Sequence, residues 1–292
     1  MIAPPFIFTA LLFCALTSGC GGSTTTTSSA PHAAKTDSTV IPYNLDQPDA
    51  AFALPRDLRE ISGLTAIDST HLAAVQDERG HIYILEKETA RVVAEGRIRG
   101  RGDYEGIEMT DSLAWILRSD GVLYSTGSRI SPDMESERYD LDLHGSCDAE
   151  GLAFDTNGNR LLILCKEDPG HGLRGYRAIY AFDLATERRI ESPVYLIDRE
   201  GIDSPRQRFK PSALAIHPLS GYLYVISSVN KVLLLIDPTD SGQIIEALTL
   251  PEHLFPQPEG LAFFPDGTLF IANEGVNGPA TLLRFDEQST SQ

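Results

Sequence analysis

The chain has 292 residues and carries 24 Lys and Arg against 41 Asp and Glu, a formal net charge of −17. That excess of acid argues against a nucleic-acid partner, because neutralising phosphates takes a clustered basic surface. Hydrophobic residues at 42% and aromatics at 8% are values of a globular chain and exclude disorder over most of the length.

The chain opens with an apolar run, Phe6 to Leu16, about half of the ~20 residues that span a bilayer. Ser18, Gly19 and Cys20 follow, so residues 1–20 read as an export signal. A cysteine directly after a small-residue pair resembles the lipobox of bacterial lipoproteins, which implies cleavage before Cys20 and a lipid on its thiol; ordinary secretion is the alternative. Residues 21–40 are rich in Ser, Thr, Gly and Ala and form a flexible linker. Of the four cysteines, Cys14 leaves with the signal and Cys20 takes the lipid. Cys147 and Cys165 remain outside the reducing cytosol, as a disulfide or as two buried thiols.

A repeat organises residues 41–286, and 287–292 are read as a disordered tail. Five segments align: Glu60-Ile61-Ser62-Gly63-Leu64, Tyr104-Glu105-Gly106-Ile107, Ala149-Glu150-Gly151-Leu152-Ala153-Phe154, Pro211-Ser212-Ala213-Leu214-Ala215-Ile216 and Pro258-Glu259-Gly260-Leu261-Ala262-Phe263. Each is followed by a polar turn, a second apolar strand, another turn and a third. The small residues Gly63, Gly106, Gly151, Ala213 and Gly260 are spaced by 43, 45, 62 and 47. Three spacings match a four-stranded propeller blade and one carries an insertion. Turns such as Pro218-Leu219-Ser220-Gly221 and Pro265-Asp266-Gly267-Thr268 have hairpin chemistry. The fold class is therefore all-β: a single five-bladed β-propeller of four antiparallel strands per blade. The last unit has only three strands, so the segment Ile41 to Leu54 is expected to supply the outer strand of the C-terminal blade and close the ring.

From Leu58 to Phe285 the chain resembles the SdiA-regulated (YjiK-like) family of bacterial envelope proteins. Glu60 to Leu64, Gly-Asp-Tyr-Glu-Gly-Ile at Gly102 to Ile107, Asp-Ala-Glu-Gly-Leu-Ala at Asp148 to Ala153, Lys-Pro-Ser-Ala-Leu-Ala-Ile at Lys210 to Ile216, and Pro258 to Phe263 carry the likeness. The resemblance implies a five-bladed propeller, membrane association and a calcium site, and no settled activity.

First strands line a propeller's channel, so the residue before each small residue forms a ring: Ser62, Glu105, Glu150, Ser212 and Glu259. At about 6 Å and an effective dielectric near 20, two such carboxylates repel by roughly 3 kcal/mol. The cluster must be protonated, paired with a cation or filled by a metal. Oxygen ligands in irregular geometry suit Ca²⁺, and the absence of His or Cys from the ring argues against zinc. A second tier follows at Asp77, Ser119, Glu167, Ser228 and Glu274, with Asp103 and Asp148 at the channel mouth. The competing reading is a salt-bridge network using Lys166, Lys210, Arg118 and Arg208.

Other motifs carry less. His71, His144, His171, His217 and His253 share no repeat position. Asp168 to Gly175 is Gly-rich but opens no helix, and is expected to overhang one face, as is Asp198 to Arg208. Trp115 is expected in the core. Two functions follow: a calcium-binding propeller that acts as a lipid-anchored binding or scaffolding module for an unidentified small-molecule or protein ligand, or a calcium-dependent hydrolase of phosphoesters, esters or lactones with Glu150 or Glu274 activating water. Few basic residues lie near the ring to hold phosphates, which favours binding. The signal places the domain in the cell envelope, and Gly21-Gly22-Ser23 after Cys20 favours the outer membrane.

Overall fold

The computed structural model describes residues 40–143, 147–170, 172–202 and 208–288. The expected signal peptide, Cys20 and the linker up to residue 39 lie outside the described residues, as do His144, His171 and the last four residues.

Five sheets form five blades. The first holds β2 (Ile61–Ala66), β3 (His71–Gln76), β4 (Arg79–Glu86) and β5 (Val92–Arg101), and the second β6 (Tyr104–Met109), β7 (Leu113–Arg118), β8 (Val122–Gly127) and β9 (Glu137–Asp140). The third holds β10 (Ala149–Asp155), β11 (Arg160–Cys165) and β12 (Tyr176–Asp183), with β13 (Arg188–Arg189) and β14 (Tyr195–Asp198) dividing the outer edge of β12 between them. This split outer strand belongs to the unit in which the sequence carries its insertion. The fourth holds β15 (Ala213–Ile216), β16 (Leu223–Ser227), β17 (Val232–Asp237) and β18 (Gln243–Thr249). In the fifth, β19 (Pro258–Phe263), β20 (Leu269–Asn273) and β21 (Thr281–Phe285) are completed by β1 (Ala50–Ala53), paired antiparallel to β21 with Ala50 opposite Arg284. The closing strand is thus the later half of the expected segment. Its earlier half packs as irregular backbone that buries Ile41, Tyr43 and Leu45.

The repeat's small residue has a steric reason. The inner strands touch in a closed circle, β2 to β6, β6 to β10, β10 to β15, β15 to β19 and β19 to β2. A Cβ added at Gly63 would lie 2.9 Å from Gly106 Cα, one at Gly106 2.8 Å from Leu152 Cβ, and one at Gly151 2.9 Å from the backbone nitrogen of Leu214. The pairing of β-strands is also interrupted at this point: the register shifts between Ile61 and Gly63, Tyr104 and Gly106, Ala149 and Gly151, and Pro258 and Gly260. In four blades, therefore, the residue before the glycine is the extra residue of a β-bulge. Bulges re-aim a side chain, and here they act at Ser62, Glu105, Glu150 and Glu259.

Apolar clusters fill the spaces between blades. Trp115 is buried against Phe182 and Tyr139, as expected of a core residue. Between the fifth blade and the first, Lys87 Nζ pairs with Asp266 Oδ2 at 2.9 Å and lies 4.1 Å from the centre of the Phe264 ring. The N-terminal segment is held to the fourth and fifth blades. Glu246 Oε2 accepts from Val40 N and Ile41 N, and Tyr43 donates to Gly267 O at 2.6 Å. Because Ser220 N donates to His217 Nδ1, that nitrogen carries no proton; Nε2–H is left to donate to Tyr43 Oη at 2.9 Å. This network holds His217 neutral, and burial pushes its pKa below the ordinary value, against a smaller upward pull from Glu287.

The two remaining cysteines are bonded, Cys147 to Cys165, with Cα atoms 4.8 Å apart. The bond ties the segment entering β10 to the end of β11.

Two outcomes follow. A Cys147→Ala, Cys165→Ala variant should lose about 3 kcal/mol in denaturant unfolding, the value expected for a loop of this length. His217 has a depressed folded pKa, so its contribution is intact above the unfolded value near 6.5 and is lost as pH falls below it, since the unfolded chain takes up the proton first. The difference in melting temperature between the parent chain and His217→Gln should therefore shrink from pH 7.5 to pH 5; a constant difference would reject the neutral assignment.

Candidate functional site

The bulged residues meet at the axis. Ser62, Glu105, Glu150 and Glu259 line one cavity together with Gly63, Gly106, Gly151 and Ala213. Its volume is about 10 Å³, close to the minimum that admits one water. Glu150 is 3% exposed, and Glu105 and Glu259 are partly buried. The expected ring of acids is thus assembled, on three of five blades.

Each ring glutamate has found its own partner. Burial and then the charge of Glu150 push Glu105 far above the ordinary carboxyl range, and a hydrogen bond to Asp103 favours its protonated form. Glu150 Oε1 lies 2.5 Å from Lys166 Nζ, and burial outweighs the lysine to leave the Glu150 pKa raised. Burial raises Glu259 too, against hydrogen bonds from Ser228, Gln257 and Ser212. Among the described residues no three of His, Cys, Asp and Glu stand close enough to grip a metal ion at once. The physical reason is this division of partners: like charges held in one cavity turn toward a proton, an ammonium or hydroxyls rather than toward each other.

The two serines of the ring behave differently from the acids. Ser62 Oγ donates to Tyr104 O at 2.5 Å and Ser212 Oγ to Pro258 O at 2.7 Å. Each hydroxyl stitches its blade to the next.

The second tier stands at the mouth. Asp77 is raised to about 6 by burial and by Glu60, Asp103 and Glu78, and its Oδ1 is buried without a hydrogen-bond partner. Glu274 is raised to about 7 by burial and by Glu259, Asp77 and Glu60, and accepts from Gln257. Glu167 pairs with Lys210, and Ser119 donates to Asp103. Asp148 is raised by burial, with Lys166 opposing. The salt-bridge reading is therefore realised at two places, Lys166 and Lys210. Arg118 instead turns to Asp120 and Tyr124.

One acid was overlooked in the sequence. Glu108 stands three residues beyond Glu105, where the other blades have Thr65, Ala153, Ala215 and Ala262. It accepts from Thr65 Oγ1 at 2.6 Å, Met109 N at 2.8 Å and Phe154 N at 3.1 Å, tying three inner strands together. An acid among alanines in repeat register was the available signal. Gln257, which reaches Glu274 and Glu259, occupies no such register and gave none.

The ring offers carboxylate oxygens from three blades, the donor type of a hard divalent cation, while Leu64, Ile107, Leu152, Leu214 and Leu261 line the same cavity. An ion shared by Glu105, Glu150 and Glu259 would require each of them to leave the separate partner it holds in this structure.

Solved structures share the fold. A glutaminyl cyclase of Myxococcus xanthus is 16% identical with a TM-score of 0.59, over 82% of this chain and 95% of that one. A luciferin-regenerating enzyme is 11% identical with a TM-score of 0.51, over 84% and 96%. A PQQ-bound aldose sugar dehydrogenase of Streptomyces coelicolor is 12% identical with a TM-score of 0.51, over 82% and 97%. At such identities the likeness is one of fold alone. The sequence pattern of one family, in contrast, matches residues 53–285, from the last residue of β1 to the last of β21. The chain belongs to the SdiA-regulated family.

Proposed function

We propose that this protein is a lipid-anchored, calcium-binding propeller that serves as a binding or scaffolding module in the bacterial cell envelope. The observation that carries the reading is the convergence of Glu105, Glu150 and Glu259 on one axial cavity with a single ion-paired ammonium, that of Lys166. When all three acids ionise, two negative charges are left without compensation, which a divalent ion matches. Calcium would supply that charge and would draw together three blades that otherwise repel at the axis. Glu105 would then give up its proton and Glu259 its hydroxyl partners, while the Lys166 ammonium stays beside Glu150. Asp77 and Glu274 would limit access from the mouth.

The cavity's size favours binding over hydrolysis. About 10 Å³ at the ring holds an ion or a water and not an ester, so an organic substrate would have to lie outside the ring. A partner of the module would meet the loops of the mouth, where Tyr176, Val229 and Val276 are exposed on consecutive blades. The anchor rests on Phe6 to Leu16 followed by Cys20, and on the polar stretch that separates Cys20 from the propeller. The outer membrane is the favoured location.

Calcium in hundredfold excess over its dissociation constant should add about 2.7 kcal/mol to the stability of the full chain, roughly 5–10 °C in melting temperature at this size. Glu150→Gln should lose most of that rise; an unchanged melting temperature in the parent chain would overturn the calcium reading. The rise should also depend on pH. Asp77 and Glu274 have folded values of about 6 and 7 against ordinary values of 3.8 and 4.5. Without the ion, their cost is absent at low pH and grows as the unfolded carboxylates ionise first. Calcium, which favours the ionised forms, should therefore raise the melting temperature more at pH 8 than at pH 5. For the anchor, the full chain produced in a bacterium should enter the detergent phase on Triton X-114 partition and Cys20→Ala should stay in the aqueous phase; identical partition would remove the lipid.

A further inference from the structure

We infer that the seam between the fifth and first blades carries a binding site for a small organic carboxylate with an apolar body, held by Arg56 and Arg59. The inference deepens the binding-module reading and rests on it for the presence of a ligand, while needing neither calcium nor the lipid anchor. A cavity of about 580 Å³ opens between the turn that follows β1 and the loop from β20 to β21, a size within the range of small-molecule sites. Leu54, Val276, Pro279 and Ala280 give it apolar walls. Among its described lining residues the only charged ones are Arg56 and Arg59.

Local structure puts the two guanidinium groups on one face. Arg56 to Leu58 form a 3₁₀ turn, closed by Arg59 N donating to Arg56 O at 3.1 Å, with Leu58 buried beneath it. Residues three apart eclipse each other in such a turn, so Arg56 and Arg59 are presented to the cavity together. The facing loop is held against them. Gly275 N donates to Arg59 O at 2.7 Å, Arg59 Nε donates to Gly275 O at 3.1 Å, and Leu54 N donates to Ala280 O at 2.8 Å. A Cβ at Gly275 would come within 2.6 Å of Gly278 O and 2.9 Å of Arg59 Cγ, so the loop is drawn tight against the arginine stem. Walls fixed in advance spare a ligand the cost of ordering them.

Both arginines still have donors to give. Among the described residues the Arg56 side chain has no hydrogen-bond or ion-pair partner, and Arg59 spends only its Nε, on Gly275. Glu274 attracts Arg59 without forming an ion pair with it. A free guanidinium fork matches a carboxylate in two parallel hydrogen bonds. The surrounding acids then limit the ligand's charge. Asp57, Glu60 and Glu78 line a second cavity, of about 210 Å³, that shares the same two arginines, and the chain carries −17 overall. A dianion would meet that field twice over and make no use of the apolar walls, whereas one negative charge on an apolar body uses both.

The test is calorimetric titration of the full-length chain, in chelator at pH 7.5, with phenylbutyrate, phenylbutylamine and inorganic phosphate. Phenylbutyrate should bind, the amine with the same body should give no heat, and phosphate should bind more weakly than phenylbutyrate. Arg56→Gln and Arg59→Gln should each weaken phenylbutyrate about tenfold, the worth of one charge-assisted hydrogen bond. Val276, 46% exposed on the wall, gives a third variant: Val276→Asp sets a carboxylate against the ligand's own and should weaken it too. Arg59 also holds Gly275, so the Arg56 and Val276 variants carry the test should Arg59→Gln fold poorly. Absence of phenylbutyrate heat, or equal affinity in the parent and Arg56→Gln, would overturn the site and leave the calcium and anchor readings standing. Phosphate bound as tightly as phenylbutyrate would overturn the assignment of an apolar carboxylate. Phenylbutyrate bound in chelator by a chain that gives no heat with calcium would support this site while the calcium reading falls.

Discussion

Five inner strands must approach one axis closely enough to touch, and most of the molecule answers to that constraint. At the closest point a Cβ at Gly63, Gly106 or Gly151 would collide with the neighbouring strand; the repeat keeps a glycine in four blades, and only the fourth, with Ala213, has room for a Cβ. The same crowding displaces the preceding residue from the ladder as a bulge and sends its side chain toward the axis. Sterics thus create a ring of side chains before any chemistry is chosen for them. The ring is useful because its members come from separate blades, each with its own register, and none can evade the others by local rearrangement.

Much of this was legible in the sequence, because a repeat converts position into geometry. Once the small residues are aligned, Glu105, Glu150 and Glu259 must share a level, and no contact information is needed to place them together. Closure by the N-terminal segment was also legible, from the fifth unit's missing strand. What was not legible depends on direction rather than level. Ser62 and Ser212 occupy ring positions, yet their hydroxyls donate to the next blade's carbonyl. Arg118 stands near the mouth acids in sequence but lies closer to Asp120. The hydrogen bonds of His217 and Tyr43 join residues 174 apart, outside any periodic signal. Cys147 and Cys165 could be named as a pair but not bonded, since Cα separation is a property of the folded sheet.

The closure of the ring relies on several weak devices rather than one strong one. β1 contributes a four-residue strand, Lys87 spans from the first blade to Asp266 and Thr268 on the fifth, and Arg284 reaches Glu88 on the first. Gln288 N donates to Pro42 O, so the chain's two described ends meet. Exposed ion pairs contribute little singly, but the hydrogen-bonded strand and the buried Tyr43 and Ile41 remove an open sheet edge at the seam. The axis depends on this directly, because a propeller that opened at the seam would separate Glu259 from the opposing acids and relax the repulsion that helps to raise the ring carboxyls.

The distribution of acids around the axis then explains where the lysine enters. Glu105 and Glu150 come from adjacent blades, and Glu150 is the charge that acts most strongly on Glu105; that pair is relieved by a proton on Glu105 held against Asp103. Between Glu150 and Glu259 stands the fourth blade, whose ring residue is Ser212 with its hydroxyl committed to the fifth blade's backbone. No carboxylate fills that sector, and the field of two acids converges on it. Lys166, at the end of the third blade's second strand, is the cation that reaches Glu150 there. A ring with a glutamate in all five blades would have no such sector and would need more positive charge than one ammonium brings, whereas this arrangement of three acids and two serines is relieved in the folded chain by one lysine on Glu150, one proton on Glu105 held against Asp103, and hydrogen bonds to Glu259 from Ser228 and Gln257. Each of those partners satisfies one acid only, so the ring is held by separate local contacts and not by a single group shared at its centre.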